Sequence, residues 1–482
     1  MNFTATLILA LLSQEVPVQT VVAPSEGLAP LRREIFELIS ERGPPSLTLG
    51  VARDGEIVWL EAIGWADRQA RRPAETTTLY AVGSMSKSIT ASAALALVQR
   101  GELDHQTRVA ELLGPAVRPW DPLGYLEDVR VDDLLASTAG VPHGWVTLSD
   151  SKTSIPGCYA GYPSLVAFSP GEVFDYSNNS FGVLQAVIEA KTGRDFEGAL
   201  QELVFKPLRM THSTSWLDST RLESYAVRYT NEGSPLPNEQ LMPQGGLGLY
   251  ASVEDVLRHG MFHLAHLKSN HDGPGSLPIR PGGDPSEGYF RNGWWTTARS
   301  HVSNGSIAGA NSHLVVLPPE GLVIVVLTNQ TSSLADEVAD RIRDFLVPAA
   351  GESGRLSRAR YTQIFRTPYE PEEAWTGRWR GTIGTPCGSV PLELDVEEQV
   401  IVRIANDERH LLTNITLNTK GELRGELSGV VPGLTPEGAP EHQIRLMLRL
   451  QDGRLSGYAS AILDVPSLSA SIPAYISLTP VD

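Results

Sequence analysis

Ser84-Met85-Ser86-Lys87 places a hydroxyl and an amine three residues apart, and therefore on one face of a helix. A serine hydroxyl is a weak nucleophile that needs a base beside it. A lysine desolvated by apolar neighbours gives up its proton and can be that base. The flanks suit this chemistry. From Ser84 to about Arg100, Ile89, Ala93, Leu95, Ala96, Leu97 and Val98 make a mostly apolar helix closed by Gly101. The pair thus opens a buried helix whose N-terminus favours developing negative charge. The same pattern recurs at Ser149-Asp150-Ser151-Lys152, in a Ser/Thr/Pro-rich stretch without helical periodicity. A solvated lysine there stays protonated, so this copy is expected to be inert.

Tyr176-Ser177-Asn178 follows Ser169-Pro170-Gly171-Glu172 and precedes a helix expected over Phe181 to Lys191, ending at Gly193. A phenol can relay a proton between nucleophile and leaving group, and an amide can orient a lysine and a carbonyl. Taken singly, an aromatic at a helix entrance is equally a packing residue. His259, His263 and His266 fall at i, i+4 and i+7 on one helix. Without further ligands nearby they are read as a solvated face rather than a zinc site. Trp294 and Trp295 alternate on a strand, so at most one of them lines a cleft. No Gly-x-Ser-x-Gly elbow and no phosphate-cradling glycine loop occurs. Cys158 and Cys387 stand too far apart in sequence for a Cys-x-x-Cys pair and are read as ordinary thiols.

The elements that must position these groups read as follows. A helix over Leu31 to Arg42 is stopped by Gly43-Pro44-Pro45. Leu47 to Ala52 and Ile57 to Ala62 form a hairpin around Arg53-Asp54-Gly55-Glu56. Strands follow at Leu314 to Leu317 and Leu322 to Leu327, then an amphipathic helix from about Leu334 to Leu346. This is α+β logic with an antiparallel sheet flanked by helices. After about residue 350, short β-rich runs such as Leu392 to Val396 and Ile444 to Leu450 predict a separate all-β domain, a barrel or sandwich. The expected divisions are a leader at 1–23, a main domain at 24–350, a linker at 351–370 and a β-rich domain at 371–482.

Several motifs in one order carry a resemblance. Ser84-Met-Ser-Lys87, Leu134-Leu-Ala-Ser-Thr-Ala-Gly-Val-Pro142, Ser169-Pro-Gly171, Tyr176-Ser-Asn178, Lys206-Pro-Leu-Arg-Met210, Gly245-Gly246 and Asn304-Gly305-Ser306-Ile-Ala-Gly309 together resemble the serine β-lactamase-related hydrolases. That group includes class C β-lactamases, penicillin-binding proteins, D-amino-acid peptidases and β-lactamase-fold esterases. The resemblance spans about residues 30–348. It implies a β-lactamase/transpeptidase-like α/β fold and an acyl-enzyme mechanism without cofactor or metal. It also implies Ser84 as nucleophile, Lys87 and Tyr176 as the proton-transfer pair, and Asn178 as a positioning group. The backbone amides of Ser84 and Ser306 would form the oxyanion hole, with Gly305 allowing close approach. The segment from Trp375 resembles the lipocalin-like barrel appended to some members.

The chain departs from the family at its third motif, which is normally Lys-Thr-Gly or His-x-Gly on an inner strand. Lys191-Thr192-Gly193 has the letters but sits at a helix end, where it caps. The family position is read as Ser303-Asn304-Gly305, with His301 on the same strand face; a register shifted by two would place His301 there instead but moves Gly305 out of line. A lysine there would pair with a substrate carboxylate, whereas serine offers no charge. Arg299 and His301 are the nearby substitutes. The missing cation directs the expectation toward neutral esters or amides. A β-lactamase or D-alanyl-D-alanine carboxypeptidase, an acyltransferase, and an idle ligand-binding protein on the same fold are the alternatives.

Composition bounds the partners. The 482 residues are 41% hydrophobic, and 39 basic against 56 acidic side chains give a net charge of −17. Such a surface repels phosphate backbones, which argues against nucleic acid. No apolar run reaches the ~18 residues a membrane span needs. A small-molecule or peptide substrate is the expected partner. Phe3 to Leu12 followed by Val21-Val22-Ala23 reads as a signal-like leader, hence periplasmic or secreted, although no basic residue precedes it and Pro24 follows; without export the protein would be cytoplasmic.

Overall fold

The computed structural model describes residues 16–115, 119–148, 165–269, 289–297, 299–348, 369–370, 372–385, 388–405, 409–418, 421–434, 440–465 and 468–481. Lys152, Cys158, Cys387, the stretch Phe3 to Leu12 and most of the expected linker lie outside these residues.

Leu322–Thr328 is the apolar run most able to nucleate a sheet, and every residue of it is buried. Leu322, Ile324 and Val326 face one core, while Val323, Val325 and Leu327 face another. The two-residue period of a strand turns one apolar run into two buried faces, which requires helices on both sides. One face is covered by the helices Ala29–Arg42 and Leu334–Leu346, through Leu31, Ile35, Val338 and Ile342. The other is covered by Val253–Ser269, through Val253, Val256 and Leu257. The sheet is antiparallel, in the order Val18–Val22, Glu56–Asp67, Ser46–Arg53, Leu322–Thr328, Ala310–Leu317, His301–Ile307, Trp294–Thr296, Tyr289–Arg291. The expected hairpin turns on Asp54 (φ 51°) and Gly55 (φ 88°), the left-handed pair that a tight primed turn needs.

The sheet begins earlier than the expected boundary at residue 24. Val18–Val22, read as the end of a leader, pairs with Glu56–Asp67 as an edge strand. Thr20 donates to the buried Glu61 carboxylate, which also accepts from Arg32 and Trp59.

The β-rich C-terminal region is an antiparallel sheet nearly closed into a barrel. Its order runs from His410–Leu411 through Val400–Ile404, Gly388–Val396, Gly377–Thr385, Leu468–Pro480, Arg454–Val465, His442–Gln451 and Glu422–Gly429 to Thr413–Leu417. The two end strands are consecutive in the chain, joined at the buried Leu412. Trp375 and Trp379 fill its core, and the Trp379 indole donates to the Trp375 carbonyl at 2.9 Å.

This barrel is also joined to the main domain by strand pairing. Its strand Leu468–Pro480 also pairs with Trp145–Leu148, which pairs in turn with Gln240–Met242, both from the main domain. Trp145–Leu148 lies in a Ser/Gly/Pro-rich stretch and is too short to show a strand period.

Candidate active site

The site forms where the apolar helix Ser86–Gln99 begins. A 3-10 turn, Gly83–Met85, feeds that helix and carries Ser84 at its centre. Gly83 has φ +54°, and a Cβ on it would lie 3.2 Å from the Ser306 nitrogen. The turn therefore runs directly beneath the strand His301–Ile307. At Gly305 a Cβ would lie 2.0 Å from the Val82 oxygen and 2.7 Å from the Ser84 nitrogen. The main-chain nitrogens of Ser84 and Ser306 both lie beside this junction. Ser312, opposite Gly305, fastens the turn by donating to the Val82 carbonyl at 2.8 Å.

Lys87 is completely buried. Its Nζ lies 3.3 Å from Ser84 Oγ, 2.5 Å from Asn178 Oδ1 and 2.7 Å from the Gly246 carbonyl oxygen. None of these neighbours is charged, so burial pushes the amine well below the usual lysine range. The lowered basicity favours the neutral amine, whose lone pair can face Ser84. Gly246 brings its carbonyl close because it lacks a Cβ, which would otherwise stand 2.7 Å from the Asn178 oxygen.

Asn178 starts the helix Asn178–Thr192, whose N-cap Ser177 accepts from the Ser180 amide. Tyr176 precedes that cap, half-buried, with its ring 4.6 Å from Lys87 Nζ. The ring stacks on Trp295 at 5.8 Å and 16° and meets Phe290 edge-on at 5.1 Å. Phe174 adds to the same aromatic wall. Trp294, on the other strand face, is buried away from it.

His143 is a site residue that the sequence reading missed. It directly follows the Leu134-to-Pro142 motif, which was its available signal. Its ring lies 5.9 Å from that of Tyr176, and its Nε2 lies 3.4 Å from Asn178 Nδ2. The Asn178 amide thus lies between the two side chains, with its oxygen turned toward Lys87. Burial above all lowers His143 to about 3, so it is neutral at working pH.

The third-motif residues divide. Gly305 and Ser306 stand at the Ser84 turn as described. Ser303 is buried, and its hydroxyl donates to Ser88 Oγ at 2.9 Å, a contact within the protein rather than with the cleft. His301 lies 3.2 Å from His263 through its Nδ1. Arg299 is paired with Glu320.

Two of the three helical histidines, His259 and His263, do not lie on the expected solvated face. His259 is fully buried, touches Ser92 Oγ at 3.1 Å and stacks on Trp294; His263 stacks on the same indole at 4.1 Å. Trp294 and His301 come from other strands and cover the face, which the helical period could not show. Among the described residues, no group of three or more His, Cys, Asp or Glu side chains is placed to hold a metal.

The covered histidines give a pH prediction. Burial lowers His259 and His301 to about 4, from the 6.5 of the unfolded chain. Below pH 6.5 the unfolded state takes up protons that the folded state refuses, so stability is lost as pH falls from 6.5 toward 4. Asp175, Asp255 and Glu189, raised by burial, act in the opposite sense. The histidine contribution is therefore read as a difference. Thermal midpoints at pH 7 and pH 5 should fall less in His301→Asn than in the wild type, and equal falls would refute the assignment.

A family model described as Beta-lactamase matches residues 31–349. Protein flp of Staphylococcus aureus (strain NCTC 8325 / PS 47) is 24% identical over 321 residues, covering 63% of this chain and 63% of that protein. Esterase EstB of Burkholderia gladioli is 31% identical over 270 residues, covering 47% of this chain and 66% of that protein. The chain thus spans about 63% of the length of the first curated relatives it matches. Among solved structures, SurE aligns with a TM-score of 0.60 at 20% identity, over 88% of this chain and 99% of that one. A class C β-lactamase from Rhodobacter sphaeroides aligns at 0.52 and 20% identity, over 66% of this chain and 99% of that one. An octameric penicillin-binding protein homologue from Pyrococcus abyssi aligns at 0.52 and 19% identity, over 93% and 99%. No helix among the described residues is long and apolar enough to cross a membrane.

Proposed function

Because the chain belongs to the Beta-lactamase family, we propose that it is a serine hydrolase that cleaves neutral ester or amide bonds through an acyl-enzyme. The observation that carries this reading is the fully buried Lys87 amine 3.3 Å from Ser84 Oγ, among uncharged neighbours and with its basicity lowered by burial. Ser84 Oγ attacks the carbonyl carbon while its proton passes to Lys87 Nζ, and the carbonyl oxygen gains charge against the Ser84 and Ser306 N–H groups. Tyr176, beside Lys87, delivers a proton to the leaving alcohol or amine as the bond to the acyl carbon breaks. Water then attacks the acyl-enzyme, giving its proton back through the same pair and freeing Ser84.

Two features support a substrate without a carboxylate near the scissile bond. Ser303, where the family places a cation, is buried and uncharged, and Arg299 is engaged by Glu320. The half-buried Tyr176 and Trp295 offer an aromatic wall, which suits an apolar acyl or alcohol group. The esterase among the relatives points the same way.

A panel of p-nitrophenyl esters, a chromogenic cephalosporin and a D-amino-acid anilide tests the reading, with fluorophosphonate labelling and Ser84→Ala as controls. Ester turnover and labelling that both vanish in Ser84→Ala are expected. Faster cephalosporin or anilide turnover would shift the assignment to a β-lactamase or peptidase. Acyl transfer to an added alcohol or amine would make it an acyltransferase. Failure of labelling and of every substrate would leave an idle binding protein.

A further inference from the structure

Two chain segments deliver the side chains around Lys87, and the barrel grips each of them beside its functional residue. The first segment carries His143. Its next residue, Gly144, has no room for a Cβ, which would stand 2.8 Å from the Ser471 oxygen of the barrel and 2.5 Å from Asn179 Nδ2. Trp145 to Leu148 then pair residue by residue with Ser471 to Leu468. The second segment carries Tyr176. Its neighbour Asp175 is buried, and Tyr458 of the barrel donates its hydroxyl to Asp175 Oδ2 at 2.8 Å. Arg424 of the barrel stands 3.8 Å from the other carboxylate oxygen, and Arg449 pairs with Glu172 at 2.9 Å.

Phe174, Asp175 and Tyr176 alternate sides. Phe174 and Tyr176 meet the aromatic wall, while Asp175 turns to the barrel. The Asp175 peptide nitrogen donates to the Ser137 carbonyl at 3.0 Å, which fixes the backbone on the main-domain side. With the Asp175 side chain also held, the torsions that aim the Tyr176 ring over Lys87 are set from both ends.

We propose that Tyr458 is a positioning residue for catalysis, holding Tyr176 in register with Lys87 through Asp175, so that the C-terminal barrel forms part of the active centre. The inference rests on the acyl-enzyme reading, in which Tyr176 moves protons. Phosphonylation of Ser84 by a fluorophosphonate serves as the readout, because it needs the activated serine but no knowledge of the substrate. Full-length wild type, Tyr458→Phe, Asp175→Ala and the double variant are compared, with Arg403→Ala on the exposed barrel surface as a control. Each single variant should lower kinact about tenfold with KI within twofold, since small misplacements of reacting groups act on the bond-making step. The double variant should be no slower than either single one, because both remove the same link. Thermal midpoints ensure that only folded protein is compared, and if Tyr458→Phe does not fold, Asp175→Ala carries the test. Wild-type kinact in a folded variant, losses that multiply in the double variant, or a change confined to KI would overturn the proposal. If wild-type Ser84 is not labelled, the acyl-enzyme reading itself falls, and the inference with it.

Discussion

Lys87→Met should lower kcat for an accepted ester by about 10³-fold, to nearly the same floor as Ser84→Ala. The two groups act as one unit. Without the amine, the hydroxyl has no acceptor for its proton, and without the hydroxyl the amine has nothing to activate. Methionine keeps the length and apolar stem of lysine, so the helix Ser86–Gln99 retains its packing. The loss of the ammonium-forming group leaves Asn178 Oδ1 and the Gly246 carbonyl without this donor. Each unsatisfied acceptor costs about 1–3 kcal/mol, offset by the burial cost that the amine no longer bears. The variant should therefore stay folded while losing activity, which circular dichroism and ester turnover measured on one preparation would show. Retention of more than about a tenth of wild-type kcat would remove Lys87 from the mechanism, since a working general base contributes at least ~10²-fold.

The same geometry fixes the sign of the pH profile. Burial lowers the Lys87 amine well below the usual lysine range, so the basic form appears at lower pH than it would for a solvated lysine. Activity should hold across neutral and mildly alkaline conditions and be lost as acid protonates the amine. A rate that climbs only as pH approaches the ordinary lysine value of 10.5 would mean that the amine is solvated and charged in the working enzyme.

How far the sequence reveals this site depends on the range of the contacts that build it. Ser84 and Lys87 lie one helical turn apart, so their proximity follows from the period of the helix. Helix ends at Gly43 and Gly193 and the turn at Asp54-Gly55 are equally local, and each occurs where the glycine stands. The β-lactamase-like fold was legible because several motifs kept one order. The link between Tyr458 and Asp175 spans 283 residues, and no periodicity encodes it. His143 likewise gains its meaning from Asn178, 35 residues on. For the helical histidines, spacing places His259 and His263 on one face, but only the arrival of Trp294 and His301 decides that this face is buried. The junction between barrel and main domain combines backbone pairing with side-chain contacts between residues far apart in sequence, neither of which a local period encodes.

Gly305→Ala should lower kcat by about 10²-fold or more, the cost of displacing an oxyanion-hole donor. The argument is steric. An alanine Cβ at this position would stand 2.0 Å from the Val82 oxygen, 2.7 Å from the Ser84 nitrogen and 2.9 Å from Ser312 Oγ. The first two are backbone atoms of the nucleophile turn, which a rotamer change cannot move aside. The strand and the turn must separate, carrying the Ser306 nitrogen away from Ser84. Overpacking of this kind typically costs ~1–3 kcal/mol, so the melting temperature should fall as well. Asn304→Ala is the informative neighbour, because its side chain lies on the opposite strand face, across from His313. It should change stability and kcat far less. KM separates the two ways in which Gly305→Ala could fail. A displaced oxyanion donor lowers kcat with KM nearly constant, because the donor acts most strongly on the charge developed in the transition state. A rise in KM with kcat preserved would instead show that Gly305 shapes the binding surface and that the Ser306 amide lies outside the oxyanion hole.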